Sequence, residues 1–193
     1  MPNDQEKELV ERVLNGDSEA FSLLVEPYRR PLLGLAYRIT RNTEDAKEVA
    51  QETFLRAFKY LRNFDADKSF KNWIYQILVH AARNFRNKQA RLEILTMSEP
   101  LREMATAAGE NPEDRRQEKE LRSRLMDCLD VLSPREREVF LLRDIEELNI
   151  RESAVVLKCS TVSVRVHLSA ARKKIKKRIL DKYPSLLERK NEL

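Results

Sequence analysis

The sequence predicts an all-α protein built as two small helical domains joined by a flexible linker. Three observations carry that prediction. Glycine is scarce, at 3 of 193 residues, and 36% of residues are charged, which suits helices joined by polar turns better than a sheet rich in tight turns. Apolar residues recur at helical spacing almost throughout. The periodicity then fails over one central stretch that holds Pro100, Ala105 to Gly109 and Asn111-Pro112, and so contains little able to fill a core. The predicted division is therefore a first domain over 1–95, a linker over 96–116 and a second domain over 117–193.

The elements follow in order. Leu9, Val13 and Leu14 mark a first helix, stopped at Gly16-Asp17-Ser18, which also begins the next. Phe21, Leu24 and Val25 line a second helix that is expected to turn at Pro27, and Leu32, Leu35, Ala36 and Ile39 line another. Thr43 reads as an N-cap with Glu44 and Asp45 well placed in the first turn. The helix after it buries Ala46, Val49, Ala50, Phe54, Ala57, Phe58 and Leu61. A polar turn, 63–68, precedes a helix with Ile74, Ile77, Leu78, Ala81 and Phe85 inward. A tether of about 20 residues spans on the order of 25 Å relaxed and over 60 Å stretched. Beyond it, Leu121, Leu125, Cys128, Leu129 and Leu132 resume the pattern. Ser133-Pro134-Arg135-Glu136 then combines an N-cap, a first-turn proline and a capping box.

Composition narrows the function. A net charge of +5 and a pI near 9.2 point mildly to an anionic partner. Cys128 and Cys159 form no C-x-x-C pair, and with His80 and His167 they lack metal-ligand spacing, so neither a metal nor a cofactor is expected. Nothing resembles paired catalytic carboxylates, a nucleophile with its base or a phosphate-binding glycine loop, so an enzyme is not expected. The polar N-terminus is unlike a secretory leader, and no stretch has the apolar length to span a bilayer. A soluble cytoplasmic protein without membrane insertion is the expectation.

The chemistry gathers in three places. First, Ile150 to Leu157, a turn at Lys158-Cys159 and Ser160 onward read as a helix-turn-helix, with Ala154 at the close approach and Ser160 as N-cap. Its second helix turns Val164, Leu168, Ala171 and Ile175 inward. Val162, Arg165, Val166, Ser169 and Lys173 are left for a major groove. Residues 160–182 hold eight Lys or Arg against Asp181, a phosphate-neutralising excess. Lys158 stands where such turns usually hold glycine, at a cost of about 1 kcal/mol if left-handed. Second, a helix over 45–58 turns Asp45, Glu48, Gln51, Glu52 and Arg56 away from its apolar stripe, a strip suited to arginines on a partner. Third, Phe64, Phe70 and Trp73 stand beside Arg83, Arg86, Lys88 and Arg91, stacking surfaces next to backbone-binding charge, with Asn72, Tyr75, His80 and Asn84 as further candidates.

Taken together, these segments resemble the extracytoplasmic-function (ECF) branch of the sigma-70 family. Asp45 to Phe58 resembles its polymerase-binding helix, Ser69 to Ile77 its −10 recognition segment, and Leu132 to Arg172 its −35-binding domain. The resemblance implies a promoter-specificity subunit acting in a stress or envelope response. Its partners would be core RNA polymerase (clamp helices of the largest subunit, and the flap region), promoter DNA and an anti-sigma factor. It assigns core binding to Asp45, Glu48, Gln51, Glu52 and Arg56. To −10 DNA it assigns Phe64, Ser69, Phe70, Asn72, Trp73, Tyr75, Arg83, Asn84, Arg86 and Lys88. To −35 DNA it assigns Ser160, Thr161, Ser163, Arg165, Val166, His167, Ser169, Arg172 and Lys173. Val166, Ser169 and Ala170 depart from the polar or basic residues the family commonly has there, so Val166 is expected against a thymine methyl, Arg165 and Ser169 near bases, and His167 and Arg172 at phosphates. Trp73-Ile74 departs from the paired tryptophans of housekeeping members, which implies weaker melting. A conventional helix-turn-helix regulator is the alternative; it leaves the acidic strip and the aromatic-basic segment unexplained.

Overall fold

The computed structural model describes residues 4–96 and 112–184, with side chains over 4–92 and 120–184. Eight α-helices appear among them: α1 (Asp4–Leu14), α2 (Ser18–Thr40), α3 (Thr43–Tyr60), α4 (Phe70–Thr96), α5 (Pro112–Asp130), α6 (Pro134–Phe140), α7 (Ile150–Leu157) and α8 (Thr161–Lys182). A 3-10 turn, Leu61–Asn63, follows α3, and a π turn, Leu141–Ile145, follows α6. There is no strand among the described residues. One compact unit carries α1–α4; the other carries α5, α6, α8 and the start of α7. Most of the predicted tether lies outside the described residues, but 112–116 are helical as the first turn of α5.

In the first unit α2 packs against α1, α3 and α4, and α3 against α4. Leu24, Leu32, Leu35, Ile74 and Leu78 fill the centre, and burying each stabilises the fold by about 1.5–3 kcal/mol. The expected turn at Pro27 is absent. A single helix of 23 residues runs through both Pro27 and Pro31. The ring at 27 stands in solvent, and the carbonyl left unserved by Pro31 is that of Pro27 itself, so one exposed stretch absorbs both defects. Residues buried on both sides of it, Leu24 and Val25 before and Leu32 and Leu35 after, anchor both halves in the core.

Three further expectations are corrected. In α1 it is Val10 that is buried, while Leu14 is exposed. The N-cap of α3 is Asn42, whose side chain accepts from the Glu44 and Asp45 N–H groups at 2.8 and 3.1 Å, not Thr43. Thr53, not Phe58, completes the buried stripe of α3; its hydroxyl donates to the Val49 carbonyl at 2.7 Å. Phe58 instead lies exposed, edge-on to Phe21 with centroids 5.0 Å apart.

In the second unit α8 packs on α5 and α6 over Leu129, Val139, Leu141, Val164 and Leu168. The capping box at α6 is complete: the Ser133 hydroxyl accepts from Glu136 N–H, and the Glu136 carboxylate accepts from Ser133 N–H at 2.8 Å.

Candidate nucleic-acid interface

The acidic strip forms because α3 has one buried face. With Ala46, Val49, Ala50, Thr53 and Ala57 inward, Glu48 and Gln51 are exposed, and Asp45, Glu52 and Arg56 half-buried at the margin. Burial, with the Glu48 charge added to it, raises the Asp45 carboxyl above its ordinary range. Arg56 Nε donates to Glu52 at 2.6 Å, so the strip carries its own internal ion pair. Leu55 is exposed on the same side, three residues on from Glu52, a position the helical spacing discloses once the buried face is known. A groove of about 180 Å³ separates this strip from α4. Glu48, Glu52 and Arg56 line one wall, Asn84 and Lys88 the other, with Phe85 among the apolar lining.

The aromatic segment divides into core and surface. Phe64, Phe70 and Trp73 pack with centroids 5.0–5.6 Å apart, and Tyr28 joins Phe70 at 5.7 Å. Phe70 is 1% and Tyr75 2% exposed, so both rings belong to the core and present no face for stacking on a base. Phe64 and Trp73 are half-buried. Ser69 caps α4: its hydroxyl accepts from Asn72 N–H at 3.3 Å and its carbonyl from Trp73 N–H at 3.2 Å. The Asn72 Oδ1 atom is buried with no hydrogen-bond partner among the described residues. On α4, Arg83 and Arg86 are half-buried, while Asn84, Lys88 and Arg91 are exposed. The Asn84 amide lies 3.5 Å from the ring of the exposed His80. Sequence spacing gave no sign that α1 braces this segment. Lys7 Nζ donates to Asp67 in the loop before α4 at 2.9 Å, and the Tyr28 hydroxyl donates to Glu6. Burial and the neighbouring Glu6 carboxylate push the Tyr28 hydroxyl pKa up.

At the helix-turn-helix, α7 and α8 meet at 103°. Lys158 is left-handed, with φ 51°, and Cys159 N–H donates to the Ala154 carbonyl at 3.0 Å. Ser160 caps α8, accepting from Ser163 N–H at 3.1 Å. Val164, Leu168 and Ala171 are buried. Val162, Arg165, Val166, Ser169 and Lys173 are exposed as a set, and Thr161, Ser163 and His167 are half-buried beside them.

The basic total of α8 is misleading as free charge. Arg172, expected at a phosphate, forks onto Asp144, with its Nε at 2.9 Å. Lys174 reaches Glu136 at 2.7 Å. Arg178, Lys182 and Tyr183 all converge on Asp127, at 2.7–3.3 Å. Hydrogen bonding from Arg178 holds the Asp127 carboxyl below its usual range against the opposing effect of desolvation. Burial pushes Glu136 up, but Lys174 and Ser133 outweigh it and leave the carboxyl lowered. Arg165, Lys173, Lys176 and Lys177 have no ion pair among the described residues.

The chain matches the family models Sigma-70 region 2 over residues 24–92 and Sigma-70, region 4 over 122–175. It is 30% identical over 188 residues to the RNA polymerase sigma-H factor of Pseudomonas aeruginosa, covering 92% of this chain and 95% of that one. The chain belongs to the ECF branch of the sigma-70 family. The ECF sigma-E factor of Haemophilus influenzae is similarly related, 31% identical over 89% of this chain and 93% of its own. Two solved structures share the fold. CnrH, solved in complex with the cytosolic domain of CnrY, superposes with TM-score 0.69 at 24% identity, over 92% of this chain and 99% of CnrH. RpoE of Bartonella quintana, solved with the anti-sigma factor NepR, gives 0.70 at 16% identity, over 84% and 98%. As an ECF sigma factor the chain is a non-enzymatic initiation subunit that binds core RNA polymerase and promoter DNA and directs promoter-specific transcription. That membership displaces the conventional regulator as a reading. No single helix among the described residues is long and apolar enough to cross a membrane. No group of three or more His, Cys, Asp or Glu among them is placed to hold a metal ion.

Proposed function

We propose that the two functions of this sigma factor are divided along the chain. Residues 1–95 dock on core polymerase and open the −10 element, 96–116 act as the tether, and 117–193 hold the −35 element. The carrying observation is the polar face of α3. Glu48 and Gln51 stand exposed over a fully buried apolar stripe, with Asp45, Glu52 and Arg56 at its margin. A carboxylate-rich strip on a rigid helix suits charge-assisted pairing with arginines on the clamp helices of the largest subunit.

In the −10 site, Phe64, Ser69, Asn72 and Trp73 surround an unpaired base while Arg83, Asn84, Arg86 and Lys88 follow the strand backbone. The orphaned Asn72 Oδ1 supports this, since a buried acceptor without a partner is costly until a ligand supplies a donor. In the −35 site, Arg165 and Ser169 face base edges. Thr161, Ser163, His167 and Lys173 lie toward the backbone, with Ser160 at the N-terminal end of the helix. The flap region engages the second unit. The factor works in the cytoplasm in a stress or envelope response, and an anti-sigma factor holds it inactive. The fold shared with RpoE, solved with NepR, supports that control.

The test is the pair Gln51→Ala with Glu52→Arg. Pull-down with core polymerase is expected to fail while circular dichroism stays unchanged. Normal co-purification and run-off transcription would overturn the assignment of the strip.

A further inference from the structure

We infer that α8 reads the C5-methyl groups of two thymines through an apolar pair, Val162 and Val166, and that this pair sets part of the −35 sequence this factor selects. The inference rests on the −35 reading above and adds the base chemistry it recognises. The two valines are 63% and 60% exposed, against 0% for Val164 between them. Leaving two branched apolar side chains in water, four residues apart on one helix face, is unfavourable unless a partner covers them. The partner is identified by the flanks: Arg165 and Ser169 on the same face, then Lys173, Lys176 and Lys177, cations with no ion pair among the described residues. Positive charge around an apolar pair complements a polyanion that presents methyl groups, and the thymine methyl is the apolar feature of the major-groove edge.

Spacing refines the target. Four residues of α-helix advance about 6 Å, close to two base steps of about 3.4 Å each. The pair therefore fits two thymines about two steps apart, on either strand. Arg165, on the same face between them, leaves room for a guanine beside or between.

The experiment uses the full chain assembled with core polymerase and a duplex library randomised across the upstream promoter element. The library is amplified either with dTTP or with dUTP, so that the two forms differ only in the C5 methyl. The wild-type factor is expected to enrich a site with two thymines from the first library. It should then bind duplexes bearing deoxyuridine at either position about fourfold more weakly per methyl, as expected for one methylene-sized group. Val162→Ala and Val166→Ala should each abolish discrimination at one position, while Arg165→Ala keeps both. Both valines are exposed, so the variants should keep the wild-type circular dichroism and thermal midpoint. Sequence-selective, salt-dependent binding with no difference between the two libraries would overturn the methyl reading and leave the helix-turn-helix as a −35 reader. Failure to enrich any sequence from either library would overturn both.

Discussion

The two halves of α8 share one helix and one sign of charge, yet they are built for different ends. In the first half, Val162, Arg165, Val166 and Ser169 stand exposed over a buried Val164 and Leu168. In the second, Arg172, Lys174, Arg178 and Lys182 are drawn onto Asp144, Glu136 and Asp127. The first half leaves its side chains in solvent, on the face proposed above to meet DNA; the second uses them to bolt the helix onto α5, α6 and the π turn. A count of eight basic residues over 160–182 therefore overstates the free charge. The lesson is that cationic density on a recognition helix has to be divided by what it already touches.

The two faces of the helix should differ first in stability. Val164→Ala opens a hole in a closed core and should cost about 2–3 kcal/mol in chemical denaturation. Val166→Ala, two residues away, should change it by no more than about 0.5 kcal/mol. Equal losses would show that the two faces are not distinct. Next comes DNA binding. Arg165→Ala is expected to weaken holoenzyme binding to a selected promoter roughly tenfold, within the range for a base-reading arginine, with core affinity unchanged. Arg178→Ala should do the reverse of this pattern, lowering the thermal midpoint with little effect on promoter affinity. Loss of core binding in the Arg165 variant would contradict the division of labour.

Asp127→Asn should cost about 1 kcal/mol, since the carboxylate serves three donors but stays partly solvated. Its pKa is lowered in the folded chain, chiefly by Arg178. Its contribution is therefore present above the ordinary carboxylate pKa, near 3.9, and lost as pH falls through the depressed value. Thermal scans from about pH 5 downward should show a larger stability loss in the wild type than in the Asn variant, which keeps the acid loss of the other lowered carboxyls such as Glu136. A matching acid profile for both would remove Asp127 from the account. The smallest effect is in salt dependence. If only Lys173, Lys176 and Lys177 of this helix meet phosphates, replacing all three by Gln should flatten the log–log salt slope of promoter binding by about 2 to 3. Replacing Arg172, Lys174 and Arg178 should scarcely alter it.

How far the site was legible depends on the range of the interaction that makes it. Ser160 and Ser133 were readable as caps, because each depends on neighbours within four residues, whereas the sequence left the turn at Lys158 open and the structure makes it left-handed. Phe70 and Tyr75 were legible as aromatic, not as buried: the same residue type serves a core or a base, and only the packing of α2 and α4 separates them. The brace from Lys7 to Asp67 spans 60 residues and leaves no periodic trace.

By itself the sequence determined the helical class, the order of the segments, the buried stripes of α3 and α8 and the family to which they belong, because helical periodicity and capping are written in residues a turn apart. Tertiary structure alone decided that α2 continues as one helix through two prolines. It also decided that Phe58 faces out, and that three of the strongest cations on α8 are already engaged with carboxylates 28, 38 and 51 residues away. Those outcomes depend on which surfaces meet when helices dock, and docking brings together groups whose separation along the chain carries no local pattern.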